Sequence, residues 1–324
     1  MKTPNTYLIN KRPLTAFNAV DKELELNPEI NYLFDLSHFG VLDVQGANAL
    51  EFLQGQLTCD VQSVSDIQIV QGAQCNLKGR ILALMDVLLW NGAKLVLPQD
   101  LLEATINSLN KTAMLSRVAL TINHDVKVFG FYLQNKQEAV PGVSFFPDSL
   151  YALSYGTNYC CYHLGKGFYI LLAETTLAEE LFKNFEAKNQ LLGSLTWHTL
   201  RLAQQQLDIY PESRGLFLPH RLDLHETAYL SFNKGCYKGQ EIIARMHYKA
   251  TIKHELKIYT VSTDETIYSG QKLLKEQGGA ELGELVDFSM LGNNRYVVAV
   301  SILKGIEPSV WFDGHSQLVQ FQID

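Results

Sequence analysis

Cysteine is sparse in this chain and badly spaced for the work that cysteines do in groups. Cys59, Cys75, Cys160, Cys161 and Cys236 contain no C-x-x-C pair, which disfavours a zinc knuckle or a protein-only iron–sulfur site, and no metal site is expected. Five is an odd number, and 324 residues is a large chain, so a disulfide framework is not expected. Long apolar runs are missing too. None approaches the roughly 18 residues needed to span a bilayer, so no membrane partner is expected. The start, Met1 to Arg12, is polar, with neither an apolar signal core nor an Arg-rich presequence, and the expected compartment is the cytoplasm. Positive charge is not in excess. A net charge of −7 disfavours direct binding to nucleic acid, which depends on neutralising phosphates, although a local group of cations remains compatible with it. No low-complexity segment or short-period repeat occurs.

What is present is an ordinary globular composition, 47% hydrophobic and 19% charged, long enough for a large core and two or three domains. Leu42 to Val44 reads as a short strand, and Leu50, Leu53 and Leu57 put a helical face on Ala47 to Leu57. Ile81 to Trp90 is an apolar strand whose hairpin partner, Lys94 to Leu97, lies across the two-residue turn Asn91-Gly92. Pro98 opens a helix with Leu102, Ile106 and Leu109 on one face. Arg117 to Ile122, Val126 to Leu133, Leu150 to Ser154, Tyr159 to His163 and Phe168 to Ala173 read as strands. Leu177 to Ala187 and Ser194 to Leu207 read as helices. Alternation along a strand sends Cys160 and Cys161 to opposite faces, where buried, inert thiols are expected. Hairpins mixed with helices indicate α+β units with antiparallel sheets rather than a doubly wound sheet. After Lys253 the pattern changes. His254 to Val261, Glu281 to Phe288, Arg295 to Ile302, Ser309 to Phe312 and Gln317 to Ile323 are short strands between turns, as in a small β-barrel or sandwich.

The most distinctive stretch is Lys234-Gly235-Cys236-Tyr237-Lys238-Gly239-Gln240-Glu241. One cysteine stands between two glycines with a cation on each side. If a helix begins near Gly239, Cys236 precedes its N-terminus, where the helix dipole, Lys234 and Lys238 favour a thiolate. Gly235 could serve a tight turn, and Gln240 and Glu241 could complement the dipole or shape the loop. His220, His225 and His247 are near in sequence, but no base for Cys236 is identifiable from the sequence.

Three segments resemble one family: Gly46 to Val61, Cys75 to Ile81, and Lys234 to Arg245. Their order and spacing are similar to those of the YgfZ-type folate-binding proteins, relatives of the T-protein aminomethyltransferase of the glycine cleavage system. The resemblance covers nearly the whole chain. It implies two ferredoxin-like α+β domains plus a C-terminal β-barrel around a central folate channel. Residues 1–45 and 120–250 would form the first, discontinuous domain, residues 46–119 the second, and residues 251–324 the barrel. It further implies tetrahydrofolate as ligand and client iron–sulfur enzymes or cluster-assembly proteins as partners. The role implied is assembly or repair of such enzymes, with tRNA methylthiolation supported indirectly, and Cys236 would be a reactive or ligand thiol. A pterin needs a flat apolar slot with polar partners at its edge, and a glutamate tail needs cations, for which Arg is best suited. On the resemblance, Phe39 and Trp197 are the aromatic positions of the folate site. Gln54 and Gln56 could hydrogen-bond the pterin or satisfy nearby backbone. Lys78 and Arg80 could contact an anion or serve a hairpin, and Arg245 and Lys249 could face the channel.

The chain departs from its relatives in three places. Ala83 and Leu84 stand where the T-protein carries a pair of carboxylates, which disfavours aminomethyl transfer for want of a general acid/base group. Asp86 shares the strand face of Leu84 but lies about 7 Å along it. Ala203 replaces a glutamate expected to contact folate, and Gln205 replaces a glycine, with Gln204 or Gln206 as possible substitutes. His220 and Asp223 replace Gln and Asn near the expected channel. The alternative readings are a folate-dependent one-carbon transferase, against which Ala83 and Leu84 count, and a direct tRNA-binding enzyme, against which the acidic balance counts.

Overall fold

The computed structural model describes residues 3–305 and 309–322. The chain enters as a hairpin that the sequence reading did not anticipate. β1 (Asn5–Ile9) and β2 (Arg12–Ala16) pair across Asn10, whose φ of 55° is one that asparagine tolerates. The one-turn helix α1 (Val20–Leu24) follows. Its buried Glu23 accepts hydrogen bonds from the backbone N–H of Phe17, Asn18 and Gly193 and from Thr196 Oγ1. One carboxylate thus ties the N-terminal segment to a helix start 170 residues away, where positive partial charge favours it.

β3 (Tyr32–Asp35) and β4 (Phe39–Gln45) then go to different sheets. After α2 (Ala49–Gln54) come β5 (Val70–Cys75), β6 (Ile81–Leu89), β7 (Ala93–Pro98), α3 (Gln99–Leu115) and β8 (Ala119–Asn123). They build an antiparallel sheet in the order β5-β6-β7-β4-β8, and α3 packs Leu102 and Leu109 beneath it. The β6–β7 hairpin is the expected one with a longer loop. Leu89 pairs with Ala93, leaving Trp90, Asn91 and Gly92 between them.

The next sheet uses β9 (Val126–Tyr132), β10 (Leu153–Tyr155), β11 (Tyr159–His163) and β12 (Phe168–Glu174), followed by α4 (Thr175–Ala187), β13 (Leu191–Leu192) and α5 (Ser194–Leu202). Its order is β10-β11-β12-β9-β3-β13. Leu177, Leu181 and Phe185 of α4 cover one face together with Cys161. The other face, with Cys160 and Tyr162, packs on Val41, Leu88 and Val96 of the first sheet. The two adjacent cysteines do lie on opposite faces, both buried.

α5 stops at Leu202, five residues short of the expected Leu207. Gln205 takes φ 61°, the Gln206 N–H bonds the Arg201 carbonyl, and the Gln205 N–H bonds that of Leu202. That is the left-handed helix stop in which glycine is usual.

The last helix, α6 (Gln240–Lys249), starts at Gly239 as the motif suggested. β14 (His254–Ser262), β15 (Lys272–Leu274), β16 (Glu281–Gly292), β17 (Arg295–Leu303), β18 (Ser309–Phe312) and β19 (Leu318–Gln320) complete the chain. Their antiparallel sheet, β14-β17-β16-β15-β18-β19, curls until Thr260 of β14 exchanges two backbone bonds with Gln322, just beyond β19. The α+β architecture with a C-terminal barrel-like sheet is as expected. Ile323, the end of the last expected strand, lies outside the described residues. No helix among the described residues is long and apolar enough to cross a membrane.

Candidate functional site

The three motif segments, far apart in sequence, meet in one place. Three carbonyls converge at the end of α2 and in the turn just past it, those of Gln54, Leu57 and Cys59. The Lys234 ammonium donates one hydrogen bond to each of them, at 2.7, 2.7 and 2.6 Å. Burial pulls its pKa down to about 8, against the opposing pull of Cys59 and Asp60. It also lies 5.0 Å from the centre of the Tyr237 ring, which is itself buried. The Lys238 N–H bonds the Gly55 carbonyl, so the loop is pinned on both sides of Cys236. Gly239 (φ 86°) and Gly79 (φ 68°) lie back to back. A Cβ on Gly239 would stand 2.4 Å from the Asn76 oxygen, and one on Gly79 would stand 3.2 Å from Ile242 and Ile243. The hairpin from Cys75 to Ile81 is therefore the seat of the motif loop.

This frame holds up a single thiol. Cys236 is exposed, whereas Cys59, Cys75, Cys160 and Cys161 are buried. Burial pushes the thiols of Cys59, Cys75 and Cys161 up to about 12. Lys234 was expected to favour a Cys236 thiolate from the surface. Instead its charge is committed to three carbonyls. Gly235 faces open space with no atom near its missing Cβ, and Glu241 is exposed while Gln240 is half-buried.

His220, His225 and His247 do come together, with ring centres of His220 4.9 Å from His225 and 6.2 Å from His247. Phe232 stacks on His247 at 3.7 Å. His220 is fully buried, and neither of its ring nitrogens has a partner. Burial, then His225 and His247, pull its pKa down to about 4. Among the described residues no group of three His, Cys, Asp or Glu is arranged to hold a metal ion.

A central cavity of about 70 Å³ opens between the two packed sheets and α5. At 10–15 Å³ per water it has room for about five waters, the scale of a small head group rather than a whole folate. Phe39 and Trp197, the two aromatic candidates from the sequence, both line it. Trp197 is wedged between Phe34 and Phe168, at 5.3 and 5.5 Å, and a Cβ on Gly130 would stand 2.3 Å from its ring. Only glycine lets β9 pass there.

The polar lining is unusual. Arg201 follows Trp197 by one helical turn and shares its face. It is 7% exposed, and its guanidinium lies near the rings of Phe168 and Trp197, yet no hydrogen bond or ion pair engages it among the described residues. Asp86 lines the same cavity together with Leu84, two residues before it on the strand, whereas Ala83 does not. Asp86 accepts from Gln71 Nε2 at 2.9 Å and from Tyr162 OH at 2.8 Å. Burial raises its pKa, with Gln71, Tyr162 and Arg201 opposing.

A buried charge network supports one end of the cavity. Arg12 binds Asp100, Asp208 and the Ile209 carbonyl, and its guanidinium lies 4.3 Å over the Tyr210 ring. His198 Nε2 sits 3.2 Å from Asp287 Oδ2, while Tyr210 OH donates to Asp287 Oδ1 at 2.6 Å. These contacts join β2, α3, α5 and β16 around the cavity.

Other sequence-derived candidates lie elsewhere. Gln54 bonds Asp60 and the Val61 N–H, fastening its own loop. Gln56 is buried next to the motif frame. Arg80 donates to the Leu216 carbonyl, and Arg245 and Lys249 are exposed on α6. None of these lines the central cavity. Ala203 faces solvent and Asp223 bonds the Leu256 N–H, while Gln206 does line the cavity. A larger groove of about 530 Å³ runs between α3 and α4, also bordered by Phe39. Its lining contains no buried polar side-chain atom without a partner, whereas His38 Nδ1 and His198 Nδ1 of the smaller cavity have none among the described residues.

The fold is that of the T-protein aminomethyltransferases. The glycine cleavage system aminomethyltransferase T from Bartonella henselae superposes with a TM-score of 0.75 at 15% identity, covering 99% of this chain and 94% of that one. In sequence the chain is similar to proteins named tRNA-modifying protein YgfZ, which bears out the resemblance its motifs carry. That of Colwellia psychrerythraea is 27% identical over 255 residues, 76% of this chain and 77% of the relative. That of Photorhabdus laumondii is 25% identical over 310 residues, 89% and 91% of the two chains. No protein-family model matches the chain.

Proposed function

We propose that this chain is a folate-binding accessory protein of the cytoplasm. It supports assembly or repair of iron–sulfur enzymes, and through them tRNA modification, with Cys236 as its working thiol. Tetrahydrofolate is the ligand, and client iron–sulfur enzymes or cluster-assembly proteins are the partners. The observation that carries the ligand reading is Arg201. Its guanidinium borders the cavity with no protein hydrogen bond among the described residues, so its donors are open to the space a ligand would fill. The residues present fit a pterin: Trp197 and Phe39 offer flat apolar faces, and Asp86, Arg201 and Gln206 offer polar ones. Bound tetrahydrofolate would supply a reduced ring able to carry one-carbon units. The thiol reading rests on the contrast between one exposed cysteine on a pinned loop and four buried ones. The link to tRNA comes from the names of the relatives. The net charge of −7 supports an indirect link over direct tRNA binding.

A second reading, folate-dependent one-carbon transfer, is favoured by Asp86, a carboxylate in the cavity where Leu84 leaves none. Formaldehyde release from a methylated amine, dependent on both protein and tetrahydrofolate, would establish it. The primary reading is tested by calorimetric titration of tetrahydrofolate into wild type and Arg201→Gln. It is tested in cells by complementing a strain that lacks its own family member with wild type and Cys236→Ser, assaying an iron–sulfur enzyme. Saturable binding weakened by Arg201→Gln and rescue lost in Cys236→Ser are expected. Absence of binding, or equal rescue by both, overturns the corresponding half.

A further inference from the structure

Asp86 and Arg201 line one cavity, sense each other's charge, and are not in contact. Buried carboxylates and guanidinium groups in proteins are usually paired. Here each is turned to other neighbours. Each Asp86 oxygen accepts one hydrogen bond, from Gln71 or Tyr162, and keeps a further acceptor position free. Arg201 makes no side-chain hydrogen bond among the described residues, and its guanidinium lies 5.8 and 5.9 Å from the ring centres of Phe168 and Trp197. A free acceptor and a free donor therefore border the same small space, next to the Trp197 ring.

A simple anion would satisfy Arg201 but meet repulsion from Asp86. A simple cation would do the reverse. A neutral planar ring that carries N–H groups beside a carbonyl answers both at once. We infer that Asp86 and Arg201 together read one edge of a heterocyclic lactam, Asp86 accepting from its ring N–H and amino groups and Arg201 donating to its carbonyl oxygen. Asp86 is thereby the specificity-determining carboxylate of this chain, in place of any at positions 83, 84 or 203. Gln71 and Tyr162 are positioning residues that fix the plane of the carboxylate. This inference rests on the folate reading and specifies which end of folate the cavity takes.

The experiment measures binding of four probes by calorimetry or fluorescence: tetrahydrofolate, 6-hydroxymethylpterin, lumazine and p-aminobenzoylglutamate. Lumazine replaces the 2-amino donor of the pterin by an oxygen, which would face Asp86. On wild type, 6-hydroxymethylpterin is expected to bind at least tenfold tighter than lumazine, the cost of one unmatched buried polar contact. Asp86→Asn is expected to weaken the pterin by tenfold or more and to narrow its lead over lumazine. Tyr162→Phe, which keeps the carboxylate and loosens its orientation, is expected to give a smaller loss. If tetrahydrofolate binds wild type but lumazine binds as well as the pterin, the inference fails and the folate reading stands. The same follows if p-aminobenzoylglutamate fills the cavity and binds more tightly in Asp86→Asn, since the cavity would then be an anion site. If tetrahydrofolate does not bind wild type, the folate reading fails as well. The lumazine comparison uses only the native protein, so it decides even if Asp86→Asn does not fold.

Discussion

Gly239 rests against Asn76 so closely that a methyl group on its Cα would stand 2.4 Å from the Asn76 carbonyl oxygen. Two motif segments separated by more than 150 residues are thereby one packed unit. Gly239 also takes φ 86°, a conformation that costs an L-residue about 1–2 kcal/mol. Conformation and contact add, so Gly239→Ala should destabilise the protein by roughly 2–4 kcal/mol. Urea unfolding measures this. Because α6 begins here, the variant should also raise hydrogen exchange along α6 and the Cys236 loop before it affects the barrel-like sheet.

Lys234 is the second fastening. Replacing it by methionine keeps the apolar stem and removes the three donors, leaving the carbonyls of Gln54, Leu57 and Cys59 without them. The expected loss is about 3 kcal/mol, the range for buried acceptors of a charged donor left unmet. Arginine should not rescue, because a planar fork cannot point three protons at carbonyls gathered around one ammonium. Equal stability of Lys234→Met and wild type would show that water replaces the ammonium there.

Much of this arrangement was legible in the sequence, and the reasons for the rest are specific. The helix start after Gly239 and the opposite faces of Cys160 and Cys161 follow from local rules of capping and alternation. β5 was missed because Gln71, Gly72 and Gln74 give it no apolar period, although its residues from Gln71 onward are buried. Gly72 is small because Cys59 Sγ would lie 2.4 Å from its Cβ, a long-range reason. Lys234, next to Cys236 in sequence, is instead drawn to carbonyls at and just past the end of α2, about 180 residues earlier in the chain. Asp86 was measured against Leu84 along its own strand. Its relevance comes from Arg201 on a different element.

Gln205 shows how a departure from relatives can be a matter of backbone rather than ligand. It is exposed, and it occupies the left-handed position that ends α5. The glycine usual in relatives relieves that conformation, so Gln205→Gly should stabilise the protein by about 1 kcal/mol. Its effect on ligand affinity should be negligible, since Gln205 does not line the cavity. A rise in the thermal midpoint with unchanged tetrahydrofolate titration is the expected pair of results.

His220 sets an acid limb on stability. Its folded pKa, about 4, lies below the unfolded value of 6.5, so the unfolded chain binds the proton more readily. Stability from this group is complete above pH 6.5 and is lost as pH falls from there towards 4, by about 3 kcal/mol, of which about 2 kcal/mol is gone by pH 5. His220→Gln removes the titrating ring. The variant should lose less stability than wild type between pH 7.5 and pH 5, measured by urea midpoints at the two values. Parallel losses would place the acid sensitivity elsewhere, with buried His38 the next group to test.

Thiol reactivity separates Cys236 from the other four cysteines. Each of those is buried, and burial pushes the thiols of Cys59, Cys75 and Cys161 up to about 12 and raises that of Cys160 well above the ordinary thiol value. A thiol is nucleophilic only as thiolate, so these four are inert while the fold is intact. Native protein treated with an aromatic disulfide reagent near neutral pH should therefore release one equivalent of thiolate quickly, and four more only after unfolding. Cys236→Ser should release none in the native state. Alkylation rates at mildly acidic pH then ask whether the loop does more than expose the sulfur. A rate above that of a free model thiol would show that Lys238 and the nearby start of α6 favour the thiolate without help from Lys234. A rate equal to it would leave presentation on a pinned loop as the whole of what the motif does for Cys236.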